Sequence, residues 1–124
     1  MANFSLPMTR ETMAAAFDYL RTTPPFHRWK LPSADQIKFK LSRSRVEYGN
    51  YQWSGSQHVI TASVHAIGHT MTLMQFMAHE IIHLHLELTG KESKRGGRNT
   101  HNAAFRKLAD KVCKYHGFDL KAFY

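Results

Sequence analysis

Cysteine is almost absent from this chain: Cys113 stands alone. One thiol can build neither an intramolecular disulfide framework nor a cysteine-based zinc ribbon, and its isolation fits a reducing compartment. Apolar runs of membrane-spanning length are missing. The opening Met1-Ala2-Asn3-Phe4-Ser5-Leu6-Pro7 lacks the basic and apolar regions of a secretory signal. A cytoplasmic protein that does not enter a membrane is expected. No internal repeat is seen. With 124 residues, 43% of them hydrophobic, the chain can bury one core without covalent staples, so a single domain over residues 1–124 is expected.

Acidic residues are also scarce. Nine Asp and Glu face seventeen Lys and Arg, for a net charge of +8. This excess concerns partners rather than fold. One basic group is Arg28, Lys30, Lys38, Lys40, Arg43 and Arg45; another is Lys91, Lys94, Arg95 and Arg98. Such groups serve either as a solvated surface or as contacts to nucleic-acid phosphate.

Glycine and proline are missing from Thr72 to Leu88, and the same stretch is strongly apolar. It reads as a buried helix near residues 71–89, with Gly90 as its stop. Inside it lies His79-Glu80-Ile81-Ile82-His83, an HExxH box. Histidines at i and i+4 share a helix face and can hold one zinc ion. Glu80, about 100° around the helix, reaches a water beside the metal rather than the metal, which suits a general base. Buried histidines and a buried carboxylate need partners, and a metal with its water would supply them.

The rest of the chain reads as follows. Residues 9–22 form a helix capped by Thr9, with Met13, Ala16, Phe17 and Leu20 inward, ended by Thr22-Thr23-Pro24-Pro25. Residues 26–35 connect and bring Trp29 to the core. Residues 37–41 alternate apolar and basic as a half-buried strand. Residues 46–53 are a second strand interrupted at Gly49-Asn50, and residues 58–64 a third. A polar loop spans 90–100. A last helix spans 101–116, with Phe105, Leu108, Ala109 and Val112 inward and Gly117 as its C′ residue. The fold class expected is α+β: a three-stranded antiparallel sheet packed with about three helices, the HExxH helix central.

A catalytic zinc usually takes three protein ligands and a water. The extended HExxHxxGxxH pattern fails, because Leu86 and Thr89 hold its glycine and last histidine positions. Glu87 lies two turns from His79 and is a poor ligand. Glu92 stands in the loop among basic residues, where a salt bridge suits it better. His101, eighteen residues after His83, is the best candidate, with Asp110 a weak second.

The strand region 37–53, Val59-Ile60-Thr61, the HExxH box and His101-Asn102-Ala103-Ala104-Phe105 together resemble the SprT-like zinc metalloprotease domain. That family includes Spartan, a protease that degrades proteins crosslinked to DNA. The resemblance spans roughly residues 10–117. It implies a zincin-like fold and one zinc on His79, His83 and His101. It further implies Glu80 as catalytic base, a protein substrate and, through the basic loop Lys91, Lys94, Arg95 and Arg98, contact with DNA. In the family the third ligand often stands in His-Gly-x-x-Phe; here Asn102 replaces the glycine. The zinc-ribbon segment that follows in many members is missing, and the small size suggests a bacterial or phage stand-alone form.

Other residues carry less. His85 faces away from His83 and reads as packing or surface; His58, His65 and His69 read as structural. Tyr48, Tyr51, Tyr115 and His116 are candidates to stabilise an oxyanion. Tyr48, Tyr51 and Trp53 either stack on unpaired bases or pack the sheet. Met71, Met74, Met77 and Cys113 read as core filling. Three functions compete: a zinc endopeptidase acting on DNA-bound or DNA-crosslinked proteins, a zinc protease cleaving a specific regulator without DNA, and a non-catalytic zinc-containing nucleic-acid-binding module.

Overall fold

Thr9 starts the first helix as expected: its hydroxyl accepts from the Thr12 N–H at 3.0 Å, and α1 runs Arg10–Arg21. Met13, Ala16, Phe17 and Leu20 fall on its buried face. The computed structural model describes residues 6–92 and 101–124. Two 3-10 turns, Phe26–Arg28 and Ala34–Gln36, lead to strands β1 (Ile37–Ser42), β2 (Gly49–Trp53) and β3 (His58–Ser63). Helices α2 (Thr70–Leu88), α3 (Ala103–His116) and α4 (Leu120–Phe123) follow. The helices thus number four among the described residues rather than about three, the short α4 being the addition. No described helix is long and apolar enough to cross a membrane.

The sheet is mixed, which corrects the antiparallel expectation. Its order is β1-β3-β2, with β1 parallel to β3 and β2 antiparallel to it. The antiparallel pair is a hairpin closed between Ser54 and Gln57. The parallel pair has a different origin. Residues 43–48 carry the chain across the end of the sheet and start β2 one strand further on, leaving a slot that β3 fills. Hydrogen bonds lock β3 there: the Ser63 N–H donates to the Tyr48 carbonyl at 2.7 Å, the Val64 N–H to the Ser42 carbonyl at 3.0 Å, and the buried Ser63 hydroxyl to the Ser44 carbonyl. Alternation in β1 identifies its buried face, Ile37 and Phe39, but carries no information on direction. The second strand also starts later than expected, since Val46 is 94% exposed and lies outside it.

Gly49 lets β2 pack close to α2. Its φ is +150°, and a Cβ built there would lie 1.9 Å from the Thr61 carbonyl oxygen and 2.9 Å from the Phe76 ring. Helix α2 is the spine of the molecule. It touches α1, α3, α4 and β2, and Phe76, Met77, Ala78, Ile81, Ile82, Leu84 and Leu86 are all buried. An unbroken apolar helix with neighbours on several sides is what its composition demands. Its end is a Schellman turn: Gly90, at φ +74°, donates to the Glu87 carbonyl, and Lys91 donates to the Leu86 carbonyl at 2.8 Å. Gly117 closes α3 in the left-handed region, as expected.

Candidate metal centre and cleft

His79 and His83 stand one turn apart on α2, ring centroids 5.1 Å apart. His101 joins them from the residue before the cap of α3. Its Nε2 lies 3.2 Å from the His79 Nε2. One ligating nitrogen from each of the three falls within 4.8 Å of the other two. Two nitrogens on one tetrahedral zinc, at bond lengths of about 2.05 Å, sit about 3.3 Å apart. The trio is therefore compatible with one metal ion, and no fourth His, Cys, Asp or Glu joins it among the described residues.

The other ring nitrogens have partners of their own. The His79 Nδ1 lies 2.8 Å from the Phe123 carbonyl, and the His83 Nδ1 lies 2.9 Å from the Glu92 carboxylate. A carbonyl only accepts, so the His79 proton is on Nδ1 and its Nε2 carries a lone pair. Burial, reinforced by the nearby His83, pushes the His79 pKa down to about 3, so the ring is neutral. Phe105, fully buried, stacks on His83 and His101 at 4.5 Å and lies 4.9 Å from His79, forming a hydrophobic floor under all three.

His101 is positioned by its neighbours. The Asn102 side chain caps α3 by accepting from the Phe105 N–H at 2.9 Å, while its Nδ2 donates to the Lys91 carbonyl at 3.1 Å. The asparagine that departs from the family glycine thus ties the start of α3 to the turn after α2. Arg106 donates to the His101 carbonyl at 2.7 Å.

Glu80 is 4% exposed, and its Oε2 lies 3.9 Å from the His79 Nε2. Burial raises its pKa to about 8; Glu92 adds to the rise, and a backbone hydrogen bond from Tyr51 opposes it. A carboxyl in this state is poised to exchange a proton near neutrality.

These groups face a cleft of about 600 Å³. One wall is β2 and the residues before it, Glu47 to Tyr51. The opposite wall is α2, and Ala122, Phe123 and Tyr124 close one side. The outer edge of β2 is unpaired among the described residues.

Other sequence candidates fall elsewhere. Asp110 pairs with Lys114 at 3.0 Å along α3. Glu87 is outside the three-histidine cluster. Glu92 is likewise outside it, and it meets His83 rather than serving only its basic neighbours. His85 stacks on Trp29 at 4.3 Å, a packing role as expected. Tyr48 and Tyr51 line the cleft; the Tyr51 hydroxyl is 2.7 Å from the His58 Nδ1. Tyr115 lies apart, beside Trp29 in a second, smaller depression, and the His116 Nε2 is 2.8 Å from the Pro24 carbonyl. Lys91 is exposed; Lys94, Arg95 and Arg98 lie outside the described residues. Sequence reasoning missed Phe123 and Tyr124 at the site, and it placed Phe105 in the core without seeing its contact with the histidines. The spacing of Phe105 from His101 in the His-x-x-x-Phe run was the available signal for the latter.

The model of the SprT-like family matches residues 17–122, nearly the whole chain. The chain belongs to that family. Membership points to a metalloprotease-type domain, and the clustered His79, His83 and His101 are compatible with a bound metal. No curated protein matched the chain.

Proposed function

We propose that this is a zinc-dependent endopeptidase of zincin-like type, with His79, His83 and His101 as the metal ligands and Glu80 as the catalytic base. The observation that carries the reading is a buried carboxylate 3.9 Å from the nitrogen of a three-histidine trio, open to a cleft. Zinc in this position supplies Lewis acidity that polarises a carbonyl and lowers the pKa of a water toward about 7. Glu80 takes the proton from the attacking water and delivers it to the leaving amine. The outer edge of β2, unpaired among the described residues, offers backbone N–H and C=O groups to an extended substrate chain, which would hold a peptide bond above Glu80. A purely structural metal site has no use for a buried base beside an open position, which disfavours the non-catalytic module.

We further propose that the substrates are proteins bound or crosslinked to DNA. The net charge of +8 supports attraction to phosphate, with Lys91, Lys94, Arg95 and Arg98, which lie between His83 and His101 in sequence, as its carriers. The cleft lining itself includes Glu47, Glu80 and Glu92 but no lysine or arginine among the described residues. Such a lining offers phosphate no lysine or arginine, so DNA would dock outside it.

The test is cleavage of a DNA-binding protein with and without DNA, by parent and by Glu80→Gln. Zinc-dependent, DNA-stimulated cleavage that Glu80→Gln abolishes is expected. Changing the four basic residues to Ser should reduce the slope of log affinity for DNA against log salt by about 0.7 to 0.9 per lost phosphate contact, zinc content unchanged. Cleavage indifferent to DNA would favour the protease that cleaves a specific regulator.

A further inference from the structure

We infer that Glu92 is a positioning residue: its carboxylate receives the Nδ1–H of His83 at 2.9 Å and so turns the Nε2 of that ring toward the metal. The inference rests on the zinc reading of the trio. Three observations carry it. The contact is on Nδ1, so Glu92 acts through His83 rather than on the metal. Both groups are shielded, with side-chain exposures of 9% for His83 and 18% for Glu92, which strengthens a charge-assisted hydrogen bond. The backbone also builds the arrangement. Gly90 in the left-handed region reverses the chain, and the N–H groups of Lys91 and Glu92 both donate to the Leu86 carbonyl, which returns Glu92 to the level of His83.

The same turn reaches the third histidine. The Lys91 carbonyl accepts from Asn102, the residue that follows His101 and caps α3. The turn 90–92 therefore links the second ligand to the third, although it contributes no ligand. A carboxylate on the far nitrogen also makes an imidazole a stronger donor to a metal, and loss of such a partner typically costs about 10–100-fold in metal affinity.

The experiment measures zinc affinity by chelator competition for the intact parent, Glu92→Gln and Glu92→Ala. The His83 ring N–H is followed by nitrogen-15 NMR in each zinc-loaded protein. Glu92→Ala is expected to bind zinc about 10–100-fold more weakly, with the Nδ1–H signal displaced. Glu92→Gln keeps a carbonyl acceptor of the same reach; it should recover most of the affinity and hold the Nδ1–H signal near its parental position. Affinity of Glu92→Ala within twofold of the parent would overturn the positioning role while leaving the zinc reading intact. Equal, complete loss in Gln and Ala would overturn it in favour of direct ligation. A parent that binds no zinc would overturn both readings.

Discussion

Replacing Glu80 by Gln should make the metal-free protein more stable at alkaline pH and leave the zinc-loaded protein without proteolytic activity. The carboxyl is 4% exposed, and its pKa rises from 4.5 to about 8, mainly through burial. A raised pKa means that the fold prefers the protonated form. Stability is then fully present below about pH 4.5, falls as pH climbs, and reaches its low plateau above about 8. At 1.36 kcal/mol per pH unit, the interval corresponds to at most about 5 kcal/mol. Glutamine has nearly the same shape and no charge to bury. In the presence of chelator, Glu80→Gln and parent should match near pH 4 and diverge as pH rises, the variant several kcal/mol ahead by pH 9. His79 acts with the opposite sign, since its lowered pKa erodes stability as pH falls below about 6.5. That loss is common to both proteins and cancels in the difference. Urea denaturation at pH steps from 4 to 9 reads the effect. Zinc should narrow the gap, because a cation beside the carboxylate favours its ionised form. Parallel stability curves across the whole range would show that Glu80 is not the buried, proton-retaining group described here.

Three further substitutions test separate parts of the molecule. His101→Ala should weaken zinc retention in dialysis and greatly reduce cleavage, whereas Asp110→Ala, which breaks only the ion pair with Lys114, should match the parent in both. Gly49→Ala should cost more than about 2 kcal/mol in thermal denaturation, because the contact at 1.9 Å is with a backbone oxygen that no rotamer change can move. A neutral Gly49→Ala would mean that Gly49 does not lie as close to the Thr61 carbonyl of β3 and the Phe76 ring of α2 as described.

What was legible in the sequence was mostly local. Thr9 and Gly117 marked helix ends through their own backbone chemistry, and the apolar run around His79 announced a buried helix. His79 and His83 were legible because a helix repeat puts them on one face; His101 was picked out only by its place near the next helix start and by the family resemblance, since the packing of α3 on α2 that brings it to them is tertiary. The direction of β1 was not, since a period of two is the same read either way, and the crossover at residues 43–48 has no distinctive composition. Helix α4 is four residues long, too short to show a period, and its contribution to His79 is a backbone carbonyl that any residue carries. The basic neighbours of Glu92 obscured its contact with His83, which follows from the turn at Gly90.

X-ray absorption at the zinc edge on the purified protein tests the central claim most directly. The expected first shell is three imidazole nitrogens and one exchangeable oxygen at about 2.0–2.1 Å, with one nitrogen lost in His101→Ala. A sulfur in the shell, a closed set of four protein ligands, or an unchanged shell in His101→Ala would contradict it.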